Sequence, residues 1–140
     1  MLNARGTLVF LWLGRFCARA VDPIEKKPLA HWRPGTLIYS LGSVGCTMAC
    51  PFCQNHEIAH PERPEALSRA AAALRPEELA LEVRNLGLSS VAFTYNEPTL
   101  QAEYIPGPAD TIPLLIRELE SLTDGIDLIL LTQSFFSRIM

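Results

Sequence analysis

The chain has 140 residues, about one domain's worth, and 49% of them are hydrophobic, ample for a core. A formal net charge of −3 provides no basic field for nucleic acid or an anionic membrane. No run approaches the roughly 20 apolar residues of a membrane-spanning helix. Four cysteines, three clustered and one distant at Cys17, do not form the framework of a secreted disulfide-rich protein and favour a reducing cytoplasm.

At the N-terminus, Arg5 precedes the apolar run Leu8–Leu13, and Ala18-Arg19-Ala20 has the small-residue pattern of a signal-peptidase site. The run is short for a secretory core, and Arg15 and Arg19 place charge between it and the cleavage point. A transit peptide is the other targeting reading, since no acidic residue precedes Asp22; both are weaker than a folded segment. Thr7–Leu13 and Arg15–Val21, broken at Gly14, read as two strands of a hairpin. Asp22-Pro23-Ile24-Glu25-Lys26-Lys27-Pro28 is a polar turn bracketed by prolines, with Lys26 and Lys27 expected in solvent. Arg33-Pro34-Gly35 is a second turn, and residues 1–35 form a hairpin-and-turn extension.

Residues 36–140 read as an α/β unit. Thr36–Val44 is a buried strand that leads directly into a cysteine-rich loop, and Pro61 to Pro64 an irregular connection. A helix comes next, with Pro76 at its first position, Glu77 and Glu78 in its first turn and Gly87 just past its end. Leu79, Val83 and Leu86 would form its apolar stripe. Its N-cap, Arg75, forgoes about 1 kcal/mol available from Ser, Thr or Asp. Ser89–Tyr95 is a strand ending at Asn96-Glu97-Pro98, Asp110–Leu122 a second helix, and Ile126–Thr132 a third strand. Strands alternating with helices predict a parallel sheet with right-handed crossovers. The cysteine loop and the Asn96-Glu97 corner then leave neighbouring strands on one rim, where α/β folds hold ligands.

Cys46, Cys50 and Cys53 have a C-x3-C-x2-C spacing, with Phe52 before the last cysteine. Three thiolates this close can clasp three irons of a [4Fe–4S] cube and leave the fourth open to a small molecule. The rivals are a tetrahedral zinc site completed by His56 or His60, and three unligated small apolar side chains, which three cysteines in eight residues disfavour. Gly42 and Gly45 read as turn and close-packing glycines. Gln54 and Asn55 would cap the outgoing segment or hydrogen-bond cluster sulfurs. Cys17 reads as a free buried thiol. Glu97 is a carboxylate that needs a cation if buried.

The cysteine spacing resembles that of the radical S-adenosylmethionine (SAM) enzymes. Val21-Asp22-Pro23-Ile24-Glu25-Lys26-Lys27-Pro28-Leu29, Gly45-Cys46, Cys50-Pro51-Phe52-Cys53-Gln54-Asn55 and Phe93-Thr94-Tyr95-Asn96-Glu97-Pro98-Thr99 further resemble the AmmeMemoRadiSam-system members, which are related to pyruvate formate-lyase activating enzymes. The resemblance implies the N-terminal part of a partial (β/α)6 TIM-type barrel preceded by a short β-hairpin. It also implies a [4Fe–4S] cluster on Cys46, Cys50 and Cys53, with Asn96 and Glu97 on SAM and Phe52 beside its adenine. The reaction implied is reductive cleavage of SAM to methionine and a 5′-deoxyadenosyl radical. An electron donor such as flavodoxin or ferredoxin is implied too, and a protein substrate is one option.

The resemblance runs from about Asn3 to about Tyr104 and fades from Ile105. Family members are considerably longer, so the chain is expected to hold about three barrel strands, with the C-terminal half missing. The alternatives are a glycyl-radical-enzyme activating enzyme and a non-catalytic fragment that binds a cluster or zinc.

Overall fold

The computed structural model describes residues 2–27, 32–101, 104 and 127–130. Its centre is a five-stranded mixed sheet. Strands β1 (Leu2–Ala4) and β2 (Thr7–Val9) form a separate hairpin, and β3 (Arg15–Pro23), β4 (Leu37–Ser43), β5 (Ala72–Ala73), β6 (Ser90–Phe93) and β7 (Asp127–Leu130) build the sheet in the order β5–β3–β4–β6–β7. β4, β6 and β7 run parallel, and β3 runs antiparallel to β4 and β5. Helices α1 (His56–Ala59), α2 (Pro64–Ala70) and α3 (Pro76–Asn85) lie in the long crossover from β4 to β6. The expected helix over Asp110–Leu122 lies outside the described residues.

The N-terminal hairpin differs from expectation in its strands. Leu2 faces Val9 and Ala4 faces Thr7 across a turn at Arg5 and Gly6, whose φ values are 55° and 89°. Two successive left-handed residues give the tight turn whose twist matches paired strands. Arg15–Pro23 instead joins the central sheet, with Asp22 opposite Ile38 and Phe16 opposite Ser43.

A bulge at Cys17 changes which way β3 faces. The register steps from Phe16↔Ser43 to Ala18↔Gly42, so one residue of β3 is extra. Phe16 therefore shares a face with Tyr39 and Leu41, whereas Asp22, six residues on, shares the opposite face with Ile38, Ser40 and Gly42. Without the bulge, residues six apart would point the same way. On the first face Phe16, Tyr39, Leu41, Val91 and Phe93 pack against Leu79, Ala80 and Val83 of α3. On the second, Ile38 and Ala92 pack with Ile24. Both faces of β4 are buried, and its sequence, Leu37-Ile38-Tyr39-Ser40-Leu41-Gly42-Ser43, carries no charged residue.

Both ends of α3 are explained by local chemistry. Glu78 accepts the Arg75 backbone N–H at 2.8 Å and its guanidinium at 3.0 Å, so the N3 carboxylate supplies a cap that the Arg75 side chain cannot. At the other end Gly87 takes φ 69°, its N–H bonds Arg84 O at 2.9 Å, and Leu88 N–H bonds Val83 O at 3.1 Å. That is a Schellman closure. It also corrects the apolar stripe: Leu86 is exposed at the C-cap, and Leu88, beyond the turn, packs on the core in its place. Residues 61–64 are likewise not all irregular connection, because Pro64 opens α2 at its first position.

Candidate functional site

The end of β4 and the end of β6 meet. Tyr39, Ser40 and Leu41 pair with Val91, Ala92 and Phe93, so the two parallel strands finish on the same rim. Val44 is fully buried, and Gly45, at φ 85°, turns the chain out into the cysteine loop. The Gly45 N–H bonds Ile58 O in α1 at 2.8 Å, which closes the base of the loop. A side chain at Gly45 would also press on the Trp12 ring, with a Cβ 3.3 Å from it.

Asn96 joins the two strand ends. It is 6% exposed, and its amide nitrogen donates to Ser43 O at 2.6 Å, Ser43 Oγ at 2.9 Å and Gly45 O at 2.7 Å. Its amide oxygen accepts the Ser43 N–H at 3.3 Å. Glu97 beside it is 6% exposed and accepts the Thr99 N–H at 3.2 Å, as the chain enters the short 3-10 turn Pro98–Gln101. Two segments about fifty residues apart are thus bound into one corner.

Cys46, Cys50 and Cys53 are half-buried free thiols on one loop. A turn closed by Cys53 N–H on Cys50 O at 3.2 Å folds its far end, and Cys46 Sγ accepts the Met48 N–H at 3.4 Å. Among the described residues, no three Cys, His, Asp or Glu side chains are gathered closely enough to hold a metal ion. The donor set nonetheless fits a cluster: three reachable thiols, none in a disulfide, on a loop pinned at its base. Metal binding commonly draws such ligands together. His60 Nε2 lies 2.8 Å from Met48 O, a contact in which that nitrogen must donate, leaving Nδ1 as the ring's lone-pair nitrogen. Phe52 stands at the loop tip, 68% exposed. Asn55 precedes α1 without a side-chain cap, and Gln54 is exposed.

A Radical SAM superfamily profile matches residues 41–136, from within β4 through the cysteine loop and the Asn96-Glu97 corner. The chain belongs to the Radical SAM superfamily. The superfamily's chemistry is SAM-dependent and radical, and it draws on an iron–sulfur cluster and a reductant. The uncharacterized protein MJ0808 of Methanocaldococcus jannaschii is 36% identical over 103 residues, 74% of this chain. The chain spans only 30% of that relative's length. No solved structure matches. Among the described residues no helix is long and apolar enough to cross a membrane.

Several residues around the cysteine loop of this radical SAM protein had no function assigned from sequence. Lys27, expected in solvent, is 5% exposed. Its Nζ bonds Asp22 at 3.1 Å and lies 5.2 Å from the Tyr95 ring centre. Lys26 bonds the other Asp22 oxygen at 2.8 Å and does remain in solvent. Tyr95 donates its hydroxyl to Asp22 at 2.8 Å. Tyr95 also has φ 71°, a left-handed conformation that costs a non-glycine residue about 1–2 kcal/mol. On the other flank Gln101, 1% exposed, accepts the Gly14 N–H at 2.9 Å and so holds the turn that carries Trp12. A cavity of about 200 Å³ lies between Phe10, Trp12, Cys46, Thr47 and Leu100. Cys17 contacts the Ser43 carbonyl at 3.4 Å, and burial raises its pKa.

Burial alone would raise the Asp22 carboxyl, but the hydrogen bonds from Lys26, Tyr95 and Lys27 outweigh it and hold the group well below the usual carboxylate range. A carboxylate depressed on folding contributes stability that is present above its unfolded pKa of about 3.9 and is lost as the pH falls toward the folded value. Unfolding free energy should therefore drop more steeply with acid in the parent protein than in Asp22→Asn, from about pH 4 downward. Urea titrations at successive pH values read this slope. Parallel slopes would show that Asp22 is not held low.

Proposed function

We propose that Cys46, Cys50 and Cys53 bind three irons of a [4Fe–4S] cluster and that the Asn96-Glu97 corner presents SAM to the open fourth iron. The observation that supports it most is the Asn96 bridge. One side chain fixes the carboxylate-bearing corner against the stem of the cysteine loop, so both halves of the site share one frame. Glu97 receives the SAM ammonium group, Asn96 holds the corner to the loop, and Phe52 flanks the adenine. When bound, the reduced cluster supplies the electron that cleaves the carbon–sulfur bond of SAM. The protein's own work is to bind and orient SAM on that rim.

The three parallel strands β4, β6 and β7 correspond in this reading to the first strands of a partial (β/α)6 barrel. The run Asp22–Lys27 and the corner Tyr95–Thr99 favour the AmmeMemoRadiSam type, with flavodoxin or ferredoxin as the electron donor.

Glu97→Gln tests the assignment. It keeps size and geometry but turns a charge-assisted hydrogen bond into a neutral one, a difference of about 1.4 kcal/mol. SAM affinity should fall about tenfold at unchanged iron content. Equal affinity, with the same SAM-induced change in the cluster's electron paramagnetic resonance spectrum, would remove Glu97 from the site.

A further inference from the structure

The run from Asp22 to Lys27 is built with care, yet the proposed chemistry does not use it. Its carboxylate is buried with a buried lysine, and Glu25 ties the segment to the next turn by accepting the Gly35 N–H at 2.7 Å. Tyr95 links it towards the site, through its hydroxyl on Asp22 and its ring 5.2 Å from Lys27 Nζ. Tyr95 immediately precedes Asn96 and Glu97.

We propose that Asp22, held by Lys26 and Lys27, is a positioning residue for the Asn96-Glu97 corner, acting through the Tyr95 hydroxyl. The functional half of this inference rests on the SAM reading above; the structural half rests on the contacts alone. Asp22 lies opposite Ile38, near the start of β4, whereas Asn96 bonds Ser43 at its end. The Tyr95 side chain spans that difference by lying back along the sheet over Gly42, where a Cβ would come within 2.9 Å of the ring. The left-handed φ turns the ring toward Asp22 and the next stretch of backbone toward Ser43. Such strain persists only when the surroundings over-determine it, here by the hydroxyl bond at one end and the close fit on Gly42 at the other.

The alternative is that the hydroxyl merely satisfies Asp22. Two lysines already do so, one to each carboxylate oxygen. Removing the hydroxyl should therefore leave the Asp22 cluster and the fold intact while freeing the corner.

Tyr95→Phe separates these cases in two measurements. In the metal-free full chain, hydrogen exchange of the Ser43 amide, which donates to Asn96, should accelerate about tenfold relative to the Tyr39 and Leu41 amides of the same strand. Unchanged exchange would overturn the proposal, whatever binds at the site. In the reconstituted protein, SAM affinity should fall about fivefold at equal iron content. Adding Tyr95→Phe to Glu97→Gln should produce little further loss, because both act on the same contact. Fully additive losses would show that Tyr95 does not act through Glu97. Faster Ser43 exchange with SAM affinity untouched in either single variant would uphold the positioning role and overturn the SAM assignment.

Discussion

Alanine at any one of Cys46, Cys50 or Cys53 is expected to abolish assembly of the [4Fe–4S] cluster, while Cys17→Ala leaves it intact. Three irons of the cube each need a thiolate, and the loop offers one apiece with no spare. Cys17 cannot substitute, because it sits in the β3 bulge with its thiol against the Ser43 carbonyl. Anaerobic reconstitution, then iron and acid-labile sulfide analysis, gives the answer directly. Near-zero iron is expected for each of the three loop variants, and parental iron for Cys17→Ala. Stoichiometric zinc without sulfide in the parent protein would replace the cluster with a Cys3His site. His56 or His60 would be its fourth ligand, His60 through Nδ1, since its Nε2 donates to Met48 O.

Asn96→Ala is expected to be the most destabilising polar substitution in the site, by roughly 2–4 kcal/mol in urea unfolding, because its side chain is the partner of a buried N–H and of three acceptors on Ser43 and Gly45. A buried group stripped of its partner costs about 1–3 kcal/mol, and several are stripped here at once. Asn96→Asp sharpens the test. It preserves the acceptor for the Ser43 N–H but sets a negative charge against two carbonyls and a hydroxyl oxygen, so it should be no better than Ala. Either variant within about 0.5 kcal/mol of the parent would mean that the strand ends are held together by something else.

Much of this arrangement was legible in the sequence. β4 could be read because both its faces are buried, which leaves an uncharged run without strict alternation. The end of α3 could be read because only glycine enters the left-handed turn at low cost, as Gly87 does. Convergence of the loop and the corner came from parallel strands that end on one rim, and the Asn96 bridge bears it out. What could not be read depended on register. A bulge leaves no compositional mark, so the pairing of Arg15–Val21 with β4 and the inward turn of Asp22 were both hidden. Lys27 looked like half of a solvated pair because the ring it lies against, Tyr95, is 68 positions away. Leu86 fitted the helical period but lies where the Schellman turn has already redirected the chain. The Asn96 amide is engaged by backbone groups of the loop stem, a role that a motif shows only once the neighbouring strand is in place.

The bulge at Cys17 also guards the sheet against strangers. β3 is covered on its outer side only by the two residues of β5, opposite Arg15 and Phe16, so from Ala18 to Pro23 that edge has no strand partner among the described residues. A bare edge invites strand addition from another chain. Here the ladder is bent at one end by the extra residue, and at the other Pro23 lacks the N–H that an incoming strand would need. Arg19 adds a charge midway. The strand that anchors the Asp22 cluster is thereby poorly suited to recruit a stray strand from a second copy.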